Sequence, residues 1–299
     1  MKILIPVDGS KFSKAAVDFV ASRATLIGKD PAIELLNVQT PVPVRAATVV
    51  GKTTVMSYHD DEAGKALKPA IAALAKAGLA AASGYVVGHP AEEIARRADK
   101  ERVDLIVMGS HGHGALLQLV LGSVSSGVLA HTTRPILLVR ERAVPRADSL
   151  HVGIAVDGSR FGRAAVRYAL KHRDLFGVAP TISLIHAVPD FAGAVMPDMA
   201  GLALPAYSDD EIRAMQRNAF EAVAAPLRKL FEKEGAKFDE VCLVGAAGEQ
   251  IAAFAKKRRL DVLVLGSHGH GAFHNAVLGS VVTRVAHLCT TPLLLVREA

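Results

Sequence analysis

Two stretches of this chain carry the residues best suited to hold an anion, and they are near copies. Gly109-Ser110-His111-Gly112-His113-Gly114 is followed by Gly122-Ser123, with nine residues between Gly112 and Gly122. Gly266-Ser267-His268-Gly269-His270-Gly271 is followed at the same spacing by Gly279-Ser280. An apolar run that reads as a buried strand precedes each, at 103–108 and 260–265. Glycines placed in this way let backbone N–H groups approach phosphate oxygens, and the N-terminus of a following helix adds its positive end. The repetition points to a phosphate-binding site, duplicated.

A second repeated block ends in a carboxylate. Val7-Asp8-Gly9-Ser10 returns as Val156-Asp157-Gly158-Ser159, each at the exit of an apolar strand. A carboxylate sits poorly on a phosphate without a cation between them, so a ribose or base contact is the better chemistry for Asp8 and Asp157. Neither a G-x-x-x-x-G-K-[ST] loop nor a first-strand G-x-G-x-x-G occurs. No Lys or Arg lies inside either glycine loop, so fast phosphoryl transfer is not supported and no catalytic residue is assigned. The H-x-H pairs His111/His113 and His268/His270 could ligate a metal, but zinc takes three or four ligands and no Cys or Glu stands at a partner spacing. A phosphate contact or an exposed loop position suits them better, and no metal site is expected.

These residues need a frame that brings a strand exit and a glycine loop together. In the first half, strands read at 2–7, 33–38, 82–87, 104–108 and 135–139, and helices at 12–27, 58–77, 90–101 and 123–132. The alternation predicts a doubly wound parallel sheet with helices on both faces. In such sheets ligands bind beyond the carboxyl ends of the strands, where strand order reverses. Ser123 and Ser280 read as N-caps of the fourth helices. The blocks recur in the same order in the second half, so the chain reads as a tandem duplication with domains at 1–141 and 150–299. Residues 141–150, joining them, read as an exposed linker. Residues 40–57 and 188–208 fit no element and read as long loops.

Composition narrows the setting. Of 299 residues, 51% are hydrophobic and 21% charged, which is ordinary for a globular protein. No apolar run approaches the roughly 20 residues that span a bilayer, and the first strand reaches its turn too early for a signal peptide. Two cysteines, Cys242 and Cys289, form no symmetric disulfide framework. These features point to the cytoplasm and away from a membrane. The net charge of +6 comes with no Trp and only 5% aromatics, too little charge and stacking surface for a nucleic-acid partner.

The G-x2-G-x9-G-[ST] pattern behind the fourth strand, with V-D-G-S at the first, resembles the universal stress protein family. The resemblance covers essentially the whole chain, as two tandem domains. It implies a five-stranded parallel sheet in each, of the Rossmann-like, adenine-nucleotide α-hydrolase-like kind, with ATP at the glycine loop and Mg²⁺ accompanying the phosphates. By motif, the first site would use Asp8, Val38, Met108, Gly109, Gly112, His113, Gly114, Gly122, Ser123 and Val124. The second would use Asp157, Ala187, Leu265, Gly266, Gly269, His270, Gly271, Gly279, Ser280 and Val281. The resemblance also implies that Ile136–Val139 and Leu293–Val296 pair across a pseudo-twofold axis. A homodimer of the whole chain and protein partners of unspecified kind are further expectations. The function so implied is an ATP-binding regulator in stress response, with at most slow hydrolysis. Two alternatives stand beside it: an adenine-nucleotide-dependent enzyme with His113 or His270 as base, and a nucleotide-free interaction module.

Overall fold

The computed structural model describes the chain except for residues 25, 26, 28–30, 111–120, 141–147, 194, 198–202, 206, 270–277 and 298–299. The first half runs β1 (Lys2–Pro6), α1 (Lys11–Ala21), β2 (Ala32–Gln39), α2 (Val44–Val50) and α3 (Lys52–Lys76). It continues with β3 (Ala81–Val87), α4 (Pro90–Lys100), β4 (Leu105–Gly109), α5 (Ser123–His131) and β5 (Ile136–Val139). The second half repeats it with β6 (His151–Ala155), α6 (Arg160–Lys171), β7 (Thr181–Val188), the short strands β8 (Val195–Pro197) and β9 (Ala203–Pro205), and α7 (Asp209–Lys233). Then come β10 (Asp239–Val244), α8 (Ala247–Lys257), β11 (Val262–Gly266), α9 (Ser280–Leu288) and β12 (Leu293–Val296).

Ten of these strands form one sheet, in the order β10-β7-β6-β11-β12-β5-β4-β1-β2-β3. Each half contributes five parallel strands, wound outward in both directions from β1 or β6. The central strands are apolar on both faces, as parallel strands covered by helices must be: Ile3, Leu4 and Ile5 are all fully buried. Two cores result. Ile3, Ile5, Val107 and their second-half equivalents pack under α1, α3, α6 and α7. Leu4, Ile106, Leu138 and their equivalents pack under α4, α5, α8 and α9. Among the described residues no helix is long and apolar enough to cross a membrane.

The halves join where expected. β5 and β12 pair antiparallel, with Leu293 opposite Leu138 and Leu295 opposite Ile136, so that two strand edges disappear into the sheet. The seam is tied reciprocally. Arg140, just beyond β5, donates to the carbonyl of Ala286 in α9. Arg297, just beyond β12, donates to the carbonyls of Leu129 in α5 and of Thr132, the latter at 3.0 Å. Each cation thus meets the carbonyl-rich end of the other half's helix, and burial pushes both guanidinium pKa values down. Replacing Arg140 and Arg297 by Met is expected to cost about 1.5 kcal/mol at each site, the worth of a hydrogen bond from a charged donor. Urea unfolding of the two single variants and the double variant checks this.

The structure departs from expectation in several places. The first helix stops at Ala21 rather than near residue 27. The Ser22 hydroxyl takes the carbonyl of Phe19 at 2.7 Å, competing with the helical ladder, and the next bonds are tighter three-residue turns. Residues 40–57 are not a loop: α2 and the first turns of α3 occupy most of them. Residues 188–208 include a 3₁₀ turn at Phe191–Gly193 and the antiparallel pair β8–β9. Within the linker, Leu150 is fully buried rather than exposed, its N–H donating to Phe176 at 2.8 Å.

Candidate functional site

Strand order reverses beside β1 and β6. β1 pairs with β2 on one side and β4 on the other, and β6 pairs with β7 and β11. The chain leaving β1 crosses toward β2 while the chain leaving β4 crosses toward β5, so a crevice opens between the two exits. Asp8 and Asp157 stand two residues beyond β1 and β6. The glycine loops follow β4 and β11. The fold therefore brings both repeated motifs to the same crevice in each half.

The carboxylates are oriented by their own turns. Asp8 Oδ1 accepts the N–H of Ser10 at 3.0 Å, and Asp157 Oδ1 accepts that of Ser159 at 3.0 Å. Ser10 and Ser159 then cap α1 and α6, accepting from Ser13 N and Gly162 N. One further residue in each half holds this exit, and the motif reading missed it. Asn37 Nδ2 donates to the Val7 carbonyl at 2.6 Å, and His186 Nδ1 lies 2.8 Å from the Val156 carbonyl. A carbonyl only accepts, so His186 carries its proton on Nδ1. The signal was present in the repeat: unlike residues at one equivalent position, each able to donate from a side-chain nitrogen.

The glycines divide their labour. A Cβ on Gly266 would stand 2.6 Å from the Phe161 carbonyl carbon, and one on Gly109 would stand 2.6 Å from that of Phe12. These first glycines let α1 and α6 press directly on the strand ends. The Ser110 N–H, next in line, is already bonded to Val139 in the sheet at 2.9 Å. Gly122 N donates to the Ser110 carbonyl at 2.8 Å, and Gly279 N to that of Ser267 at 2.9 Å, so these later glycines draw each loop closed. They also occupy the N-cap positions expected for Ser123 and Ser280, with extended backbone at ψ 157 and no side-chain cap. The serines are the first helical residues, where a hydroxyl no longer reaches the next turn's N–H groups. In α9 the first helical bond is Thr283 N to Gly279 O at 3.0 Å. The N–H groups of Ser280, Val281 and Val282 stand ahead of it, at the positive end of the helix.

In the second half these parts enclose a cavity of about 540 Å³. Asp157, Ala187, Leu265, Gly266, Gly269, Gly279, Ser280 and Val281 all line it. So do Ala155, Ala247, Ile251 and His268, which the motif reading did not include. The walls meet closely: Asp157 Oδ2 is 2.6 Å from where a Cβ on Gly269 would stand. His268 packs on Phe161, their ring centres 5.4 Å apart, and its Nδ1 lies 3.0 Å from the Ser267 hydroxyl. His270 and Gly271 lie outside the described residues, as do Gly112, His113 and Gly114 of the first loop. In the first half Met108 is buried and Val38 half-buried on the face of the sheet that carries α4 and α5. Val124 joins that face from α5.

The lining combines two kinds of surface: Ala155, Ala187, Ile251 and Leu265 are apolar, whereas the glycine backbone and the start of α9 are rich in N–H groups. Among the described residues lining it, Asp157 is the one carboxylate and none is Lys or Arg. A ligand with an apolar ring system, hydroxyls and an anionic tail matches that set of surfaces.

Fold and site together define a tandem α/β protein of the Rossmann-like, adenine-nucleotide α-hydrolase type. The sequence model of the universal stress protein family matches residues 1–140 and 150–297, and the chain belongs to that family. A universal stress protein of Mycolicibacterium smegmatis is 29% identical over 303 aligned residues, covering 99% of this chain and 96% of its own. Universal stress protein YxiE of Bacillus subtilis is 34% identical over 149 residues, 46% of this chain and 98% of its own length. A universal stress protein from Archaeoglobus fulgidus superposes over 100% of this chain and 98% of its own, with a TM-score of 0.70 at 21% identity, a likeness of fold.

Proposed function

We propose that this protein binds ATP in each of two domains, 1–141 and 150–299, and acts as a regulator in stress response whose contacts follow nucleotide occupancy. The observation that carries the proposal is a cavity whose lining combines apolar side chains, one carboxylate and N–H-rich backbone. The base would lie against Ala155, Ala187 and Leu265, and the ribose hydroxyls would bond to Asp157. The phosphates would lie against Gly269, Gly279 and the N–H groups of Ser280 and Val281. About 540 Å³ lies within the range of small-ligand sites. The first site would use Asp8, Val38, Met108, Gly109, Gly122, Ser123 and Val124 in matching roles, together with Gly112, His113 and Gly114; His270 and Gly271 complete the second. Mg²⁺ on the phosphates would supply the positive charge that the described lining lacks and would relieve repulsion from Asp157. No group is assigned a catalytic role, and hydrolysis would be slow.

Protein purified under native conditions and then heat-denatured is expected to release adenine nucleotide, detectable by mass spectrometry. Refolded or nucleotide-stripped protein is expected to gain about 2.7 kcal/mol of stability at a hundredfold excess of ATP over its Kd. A nucleotide-free supernatant, with an unchanged melting temperature in millimolar Mg-ATP, would overturn the proposal.

A further inference from the structure

Three apolar residues lining the second-half cavity are smaller than their repeat-related counterparts in the first half. Ala155, Ala187 and Ala247 all line the second-half cavity. Their first-half counterparts are Pro6, Val38 and Pro90. Pro6 and Ala155 each end the first strand of their half. Val38 pairs with Val86 as Ala187 pairs with Leu243. Pro90 and Ala247 each open the helix behind the third long strand. Every exchange removes two side-chain carbons, six in all, the carbon count of a phenyl ring.

Exchanges elsewhere in the lining nearly cancel: His186 has two more side-chain heavy atoms than Asn37 and Val282 one more than Ser125, while Gly162 has two fewer than Ser13, a net gain of one against the six removed. Ile94 and Ile251 match, as do Val124 and Val281, and Met108 and Leu265 have equal numbers of side-chain heavy atoms. Leu243 is larger than Val86 but does not line the cavity. Nor is α8 set to collapse inward. In the first half Ala91 packs against Gly127, 2.5 Å from where its Cβ would stand; in the second Gly248 packs against Arg284, 2.6 Å from the equivalent point. The large and small partners have changed places, which keeps the helix pairs α4–α5 and α8–α9 equally close.

We infer that the second site, read as the adenine-nucleotide site proposed above, admits purine nucleotides whose base carries a ring-sized substituent, and that the first site excludes them. An apolar substituent placed against the three alanines gains burial. The same group against Pro6, Val38 and Pro90 overfills the site.

The test uses nucleotide-stripped full chain titrated with Mg-ATP and with three ATP analogues bearing a benzyl-sized group at N6, C2 or C8. At least one analogue is expected to bind one equivalent per chain, within about threefold of the ATP affinity. Ala187→Val should lower the affinity for that analogue relative to the affinity for ATP by about tenfold or more. Should that variant not fold, Val38→Ala with Pro90→Ala carries the test by raising the analogue bound to two equivalents. Exclusion of all three analogues while ATP binds, or equal weakening of ATP and analogue by Ala187→Val, overturns the inference. Failure of ATP itself to bind removes the nucleotide reading, and this inference with it.

Discussion

Gly266→Val is expected to melt the second half before it affects any ligand. Even alanine would put a Cβ 2.6 Å from the Phe161 carbonyl carbon, 2.7 Å from its Cβ and 2.8 Å from its oxygen. These are mostly backbone atoms at the start of α6, so no side-chain rotation relieves them. Gly266 is also held in register opposite Val296 of β12, so the strand cannot retreat without breaking the ladder. Overpacking of this kind costs about 1–3 kcal/mol where neighbours can yield. Here the upper figure is expected for alanine and more for valine. For a domain of this size about 3 kcal/mol corresponds to a fall of roughly 6–12 °C in melting temperature. Scanning calorimetry of Gly266→Ala and Gly266→Val checks it, and Gly109→Val should behave alike, because Phe12 stands at the same distances. Wild-type melting in both would mean that the helix–strand approach is not the role of these glycines.

Gly279→Val is expected to do the reverse, leaving the fold and removing the ligand. A Cβ at Gly279 meets nothing closer than 3.4 Å, and its φ of −66° suits any residue. Losing glycine at an N-cap costs about 1 kcal/mol. The atoms nearest that Cβ are the Cα of His268, the oxygen of Ser267 and the nitrogen of Gly269, the inner rim of the glycine loop. Valine methyls there would intrude on the N–H-rich backbone that lines the cavity. Affinity at the second site should fall about 100-fold or more, some 2.7 kcal/mol. The contrast between two glycines of one motif separates packing from binding.

Much of the frame was legible because its signal is burial on both faces. β4 is an unbroken apolar run and β1 is apolar after Lys2, and the structure ends both within a residue or two of the expected positions. The convergence of Asp8 or Asp157 with the glycine loops followed from strand order alone. α2 was not legible, since helical periodicity records a buried face and α2 buries none: Val44 and Val49 are 81% and 86% exposed. The glycine loop misled in detail. Spacing shows that glycine is needed, but it does not tell a close helix approach, as at Gly266, from a cap, as at Gly279. Asn37 and His186 were hidden because their shared act is a single donated hydrogen bond that no residue identity marks. The three alanines of the second cavity look like neutral exchanges until the wall they share is seen.

Calorimetric titration of Mg-ATP into nucleotide-stripped wild-type protein and Gly279→Val tests the central claim most directly. Saturable binding in the wild type, with one equivalent fewer in the variant at an unchanged fold, is the predicted result. Absence of saturable binding at millimolar Mg-ATP, or the same stoichiometry in both proteins, would contradict it.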